Sequence, residues 1–171
     1  LRRKAVRVIQ YRGTGRLETI KEQVDTHGYA SGFRDLVARI SDLLPSNEIM
    51  GQALRRTVQM FPDLALRELI ANALTHQDFS ITGTGPTVEI FEDRIEITNP
   101  GAPLVSPDRF IDSPPRSRNE QLASLMRRGG ICEERGSGWD KICFNVEVHQ
   151  LPAPLIEVTG EHTRITLFSH K

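Results

Sequence analysis

Glu68 and Asn72 stand four residues apart in the run Glu68-Leu69-Ile70-Ala71-Asn72-Ala73-Leu74-Thr75-His76. Helical spacing puts both on one face. There the Asn amide oxygen can give a magnesium ion a protein contact, while the carboxylate one turn earlier accepts a proton from a water held near the same ion. Alone, the pair also reads as the solvated polar face of an ordinary helix. Further along, Gly136-Ser137-Gly138 precedes a helical run, where glycines admit a phosphate to the backbone and the helix dipole favours an anion. Lys141 stands where a dinucleotide fingerprint needs its third glycine, and there is no Walker-type lysine motif, so this glycine pair also reads as a plain loop. Arg116, Arg118 and Arg135 are placed to neutralise phosphates from a loop and from the segment before the glycines. The five histidines show no metal spacing, and no Ser or Cys nucleophile stands in a recognisable pattern with a base.

These residues need elements to hold them. Pro62 suits the first turn of a helix and Asp63 its positive end, so a helix is predicted from there to about Asp78. Leu66, Leu69, Ile70, Ala73 and Leu74 take one side of its wheel; Glu68, Asn72, Thr75 and His76 face solvent or a cleft. Residues 87–91 and 94–98 alternate around Glu92-Asp93 and predict a β-hairpin that ends at Asn99-Pro100-Gly101. The proline-rich stretch from Ala102 to Arg118 predicts a long loop of the kind that forms lids, with a short helix at 107–111. A short helix over 119–128, with Leu122 and Leu125 inward, should end at Gly129-Gly130, and another carrying Trp139, Ile142, Cys143 and Val146 should follow Gly138. Strands 155–158 and 163–168 close the chain.

Ahead of this region, Ala5 to Tyr11 predicts an edge or hairpin strand, with a second within 17–24. A helix is expected from an N-cap at Ser31 to Pro45, with Phe33, Leu36, Val37, Ile40, Leu43 and Leu44 at helical spacing, and residues 47–60 lean to strand. The sum is an α+β chain with helices packed on a mostly antiparallel sheet.

With 22 basic and 22 acidic residues among 171, the net charge is zero, which removes a global electrostatic case for nucleic acid or an anionic membrane. The basic cluster around Arg2-Arg3-Lys4 lacks interleaved aromatics and reads as a solvated terminus. Cys132 and Cys143 fit no zinc spacing and read as reduced thiols, with a disulfide as the second choice, which suits a cytoplasmic location. No apolar run approaches the roughly 18 residues of a membrane span. Leu1 in place of an initiating Met suggests a fragment.

Taken in order, four motifs resemble the GHKL superfamily of ATP-binding domains, shared by gyrase, the ninety-kilodalton heat-shock chaperone and histidine kinases. They are Pro62 to His76, Asn99 to Gly101, Ser117 to Asn119, and Glu134 to Gly138. The nearer resemblance is to the ATPase-like domain of RecG-related, Schlafen-AlbA-type bacterial transcriptional regulators, running from about Phe61 to Ile142. It implies a Bergerat-type fold: a two-layer sandwich with a mixed, mostly antiparallel sheet and helices on one face. It also implies that ATP lies between the Glu/Asn helix and a lid at about 102–135. By carry-over Asn72 ligates Mg2+, and Glu68 is the catalytic residue that positions or deprotonates water. Asn99 and Gly101 lie by the adenine and Gly136 and Gly138 wrap the phosphates, with His76, Arg118 and Ser137 completing the nucleotide-binding set. Asn99 and Pro103 stand where the superfamily has Asp and its second glycine, and Thr75 stands where it has an acid.

The division expected is an N-terminal part, 1–60, packing onto an ATP-binding core, 61–171. The function implied is an ATP-binding, slowly hydrolysing, magnesium-dependent domain that regulates DNA binding by a neighbouring domain outside this chain. The alternative is a degenerate scaffold of the same fold used for dimerisation, with a homodimer as its state, or for partner docking. No motor motif points to helicase activity.

Overall fold

The structure, a computed structural model, describes residues 4–50, 55–110, 116–132 and 138–169. Six strands form one sheet, β1 (Val6–Tyr11), β2 (Thr19–Asp25), β5 (Thr87–Ile90), β6 (Arg94–Pro100), β7 (Leu155–Val158) and β8 (His162–Phe168), in the order β2-β1-β5-β6-β8-β7. Among the described residues, β1 and β5 run parallel and the other pairings of this sheet are antiparallel. Two further strands, β3 (Ser46–Met50) and β4 (Arg55–Gln59), make a separate hairpin. With helices α1 (Phe33–Leu43), α2 (Asp63–His76), α3 (Glu120–Arg128) and α4 (Gly138–Val148), this is the expected mixed α+β sandwich.

Strand alternation sorts the sheet's two faces. Val6 and Val8 of β1, Val88 and Ile90 of β5, Ile95 and Ile97 of β6 and Leu167 of β8 join one core cluster with the buried side chains of α1, α2 and α4. The opposite face has its own small cluster, Ile9, Tyr11 and Phe91, with Tyr11 and Phe91 stacked at 5.0 Å. Beside it Arg16 reaches from the β1–β2 loop to Glu89 at 2.7 Å and also contacts Glu96, while Arg94 holds Glu96 at 2.7 Å. Burial pushes the Glu89 carboxyl up, yet hydrogen bonding and charge from Arg16 outweigh it and leave the group below its usual range.

Helix α2 is the centre of the packed layer. Ala65, Leu66, Leu69, Ile70, Ala71, Ala73, Leu74 and Thr75 are all buried, which is more than one stripe, because α2 lies on β6 and also touches α1, α3 and α4. The five apolar positions assigned to its inner side are buried, and its polar residues border a cleft.

Several local expectations are corrected. Of the two expectations for the first strand, the hairpin holds and the edge does not: β1 pairs antiparallel with β2 on one side and is covered by β5 on the other. Gly32, not Ser31, is the N-cap of α1; the Gly32 N–H bonds to Gly28 O at 2.7 Å and the Ser31 hydroxyl donates to the same carbonyl at 3.4 Å, so Ser31 serves the preceding turn. Helix α2 stops at His76, with Gln77 extended as its C-cap. On α3 the inward residues are Ala123 and Met126, with Leu122 half-buried, while Leu125 is 52% exposed and turned to the cleft rim. The short helix in the long loop is a 3-10 turn over Pro107–Arg109. Glu134, Arg135, Gly136 and Ser137 lie outside the described residues.

Candidate functional site

Between α2, the sheet and α3 lies a cleft of about 1120 Å3. Its first wall is the polar side of α2, with Glu68, Asn72, Thr75 and His76, interleaved with Leu69 and Ala73. The floor is sheet: Ile97 and Asn99 from β6, Thr163 and Ile165 from β8. Pro103, Leu104, Val105 and Phe110 from the loop, then Arg116, Ser117 and the α3 residues Glu120, Gln121, Ser124, Arg127 and Arg128, form the opposite side. Cys132 and the start of α4, Gly138 and Trp139, close one end; Phe110 meets Trp139 edge-on at 5.6 Å. Such a cleft suits a ligand with a flat apolar part and a charged part.

The Glu68 and Asn72 side chains converge on the first residue of α4. A Cβ built on Gly138 would lie 3.0 Å from Glu68 Oε2 and 3.6 Å from Asn72 Nδ2. Glycine at 138 therefore lets the backbone at a helix start, where N–H groups and dipole favour negative charge, approach this pair closely. The Asn72 side-chain amide makes no hydrogen bond among the described residues. Nearby, burial pushes the Cys132 thiol up to about 11, with Glu68 adding to the rise.

At the floor Asn99 is 8% exposed and pairs in register with Thr163 across the β6–β8 ladder. Asn99 Nδ2 donates to Pro100 O at 3.3 Å, which leaves its Oδ1 as an acceptor. The Thr163 hydroxyl donates to Gly101 O at 2.8 Å, which leaves its oxygen lone pairs as acceptors too. A group presenting N–H bonds, such as an exocyclic amine, complements this pair.

Two expected contacts have other work. Gly101 does not line the cleft: its N–H bonds to Glu161 O at 2.7 Å, its carbonyl is taken by Thr163, and at φ +96° a Cβ would stand 2.7 Å from Asp78 Cβ. Arg118 does not line it either. Its guanidinium bonds to Asp78 Oδ2 at 3.3 Å and to Ala102 O at 2.8 Å, tying the segment before α3 to the end of α2. The flanking residues do the same. Ser117 Oγ donates to Thr75 O at 3.2 Å, and Asn119 Nδ2 donates to Thr75 O at 3.0 Å and Gln77 O at 2.8 Å. These bonds satisfy carbonyls that a helix end leaves open. His76 lines the cleft, and burial, then the Arg118 charge, hold its pKa below the usual value.

Residues 83–167, just under half of the chain, match the family described as "Putative ATP-dependent DNA helicase recG C-terminal". The match supports a RecG-related, ATPase-like domain. It takes in Asn99, Thr163 and Gly138 and begins after the Glu68/Asn72 helix. The fold is similar to the crystal structure of the DIP2311 protein from Corynebacterium diphtheriae, with a TM-score of 0.84 at 21% identity over 100% of this chain. At that identity the likeness carries the fold alone. The chain spans 36% of that protein's chain. No curated protein matches by sequence.

Sequence reasoning did not single out Thr163, Arg127 or Arg128. Thr163 carries no motif of its own, and only the ladder register reveals it. The arginines look like ordinary basic residues of a last helical turn. As for a metal, no group of three or more His, Cys, Asp or Glu able to hold one occurs among the described residues. The donors at hand are the Asn72 amide oxygen and the Glu68 carboxylate, a set that fits an ion carried largely by substrate phosphates and water.

Proposed function

We propose that the chain is a GHKL-type ATP-binding domain, slowly hydrolysing in the presence of magnesium, that regulates a DNA-binding module in a neighbouring domain of a RecG-related transcriptional regulator. The observation that carries this reading is the convergence of Gly138 on the Glu68/Asn72 pair at one end of the cleft, with the acceptor pair Asn99/Thr163 on its floor. The match to the RecG-related family supports its ATP-binding part.

In this reading the adenine lies on Ile97 and Ile165, its amino group facing Asn99 Oδ1 and the Thr163 oxygen. The two acceptors reject a carbonyl at that position, so ATP is favoured over GTP. The phosphates extend toward Gly138. Asn72 would hold a magnesium ion, which would supply charge neutralisation to the phosphates. Glu68 orients a water and takes its proton at the carboxylate. Thr75 gives its hydroxyl to Ala71 O at 3.0 Å, so it supplies no second base, in keeping with slow turnover.

The test is phosphate release from ATP with purified protein. Wild type should release phosphate slowly and only with magnesium, and Glu68→Gln should abolish release while ATP still binds. Equal release by Glu68→Gln would remove the hydrolytic part of the reading.

A further inference from the structure

The lining of the cleft carries three guanidinium groups without an ion pair among the described residues. Arg127 and Arg128 lie in the last turn of α3, Arg116 lies just ahead of Ser117, and all three line the cleft. Arg16, Arg94, Arg118 and Arg164 each hold a carboxylate. Arg116, Arg127 and Arg128 hold none among the described residues.

Basic residues in a last helical turn complement the dipole, and that alone would explain one of them. It does not explain why two consecutive residues, roughly 100° apart around a helix, both reach the same cleft. The carboxylates lining the cleft are Glu68 and Glu120, fewer than the guanidinium groups. Glu120 opens α3, about 10 Å along the axis from the arginines, and does not neutralise them. Cys132, which also lines the cleft, is close enough to both Glu68 and Arg127 to feel their charges, which puts Arg127 on the Glu68 side of the cleft.

We propose that Arg127 and Arg128, with Arg116 at the rim, form the anion subsite of the cleft and bind the terminal phosphates of a nucleoside triphosphate. This deepens the ATP reading and rests on it. It moves the phosphate role from Arg118, which is tied to Asp78 and Ala102, to the far end of α3. The Ser117–Asn119 contacts with the end of α2 then hold this helix so that the arginines face Glu68 across the cleft.

The test compares wild type, the double variant Arg127→Gln/Arg128→Gln, and Arg34→Gln as a control outside the cleft. Each is titrated with ATP, adenosine and inorganic tripolyphosphate. The double variant should bind ATP and tripolyphosphate roughly tenfold or more weakly, since charge-assisted hydrogen bonds are lost. Its adenosine affinity should match wild type, which also shows that it is folded, and Arg34→Gln should bind all three ligands as wild type does. Unchanged ATP and tripolyphosphate affinities in the double variant overturn the subsite. If wild type binds tripolyphosphate through these arginines but gains nothing from the adenosine moiety, the subsite stands and the ATP reading falls. If wild type binds neither ATP nor tripolyphosphate, both fall.

Discussion

Gly138 and Glu68 are in contact across two helices: a Cβ at position 138 would stand 3.0 Å from Glu68 Oε2. The atom it would meet is the far end of a flexible side chain, so Gly138→Ala should fold, with stability within about 1 kcal/mol of wild type because alanine also favours the helix. The carboxylate must move, however. Phosphate release from ATP should fall several-fold while the thermal unfolding curve barely shifts; unchanged release would mean that Glu68 placement is not set by this contact.

Gly101 is a different case, since its φ of +96° and the 2.7 Å approach to Asp78 Cβ both exclude a side chain. Gly101→Ala should cost about 2 kcal/mol in a denaturant titration, the scale of left-handed strain at a non-glycine residue. A neutral substitution would show that the turn after β6 relaxes freely.

The elements of this fold were largely legible because their signals are local. The β5–β6 hairpin follows from alternation around Glu92-Asp93, and α2 from its apolar spacing. The interior position of β1 was not legible, because parallel pairing with β5 is a long-range event that no local pattern encodes. The candidate site divides in the same way. Glu68, Asn72 and Gly138 come together as their motifs suggest, yet Arg118 and Gly101 are spent on holding the end of α2 and the end of β6. A motif gives residue types and order. It does not say whether a guanidinium points into a cleft or back at Asp78.

Asn119 donates to the carbonyls of Thr75 and Gln77, at 3.0 and 2.8 Å. Asn119→Ala should therefore lower stability by about 1–2 kcal/mol. Ser117→Ala should cost less, since Thr75 O keeps its other donors. Urea midpoints of the two variants against wild type check the order.

His76 gives the protein an acid limit. Burial and Arg118 lower its folded-state pKa below the ordinary 6.5, so as pH falls the unfolded chain takes up this proton first. The stability associated with neutral His76 is complete above the unfolded value and is lost progressively as pH drops below it toward the folded pKa. Urea midpoints at about pH 7.5 and 5.5 should show wild type losing more stability than His76→Gln. Parallel losses would place the acid limit elsewhere.

The central claim is that the α2 cleft binds ATP with a magnesium ion at Asn72, and calorimetric titration of purified protein with ATP, with and without magnesium, tests it most directly. The account predicts saturable heat that magnesium strengthens, and an Asn72→Ala variant in which the magnesium-dependent gain disappears. No heat with any adenine nucleotide, or a gain that survives in Asn72→Ala, would contradict it.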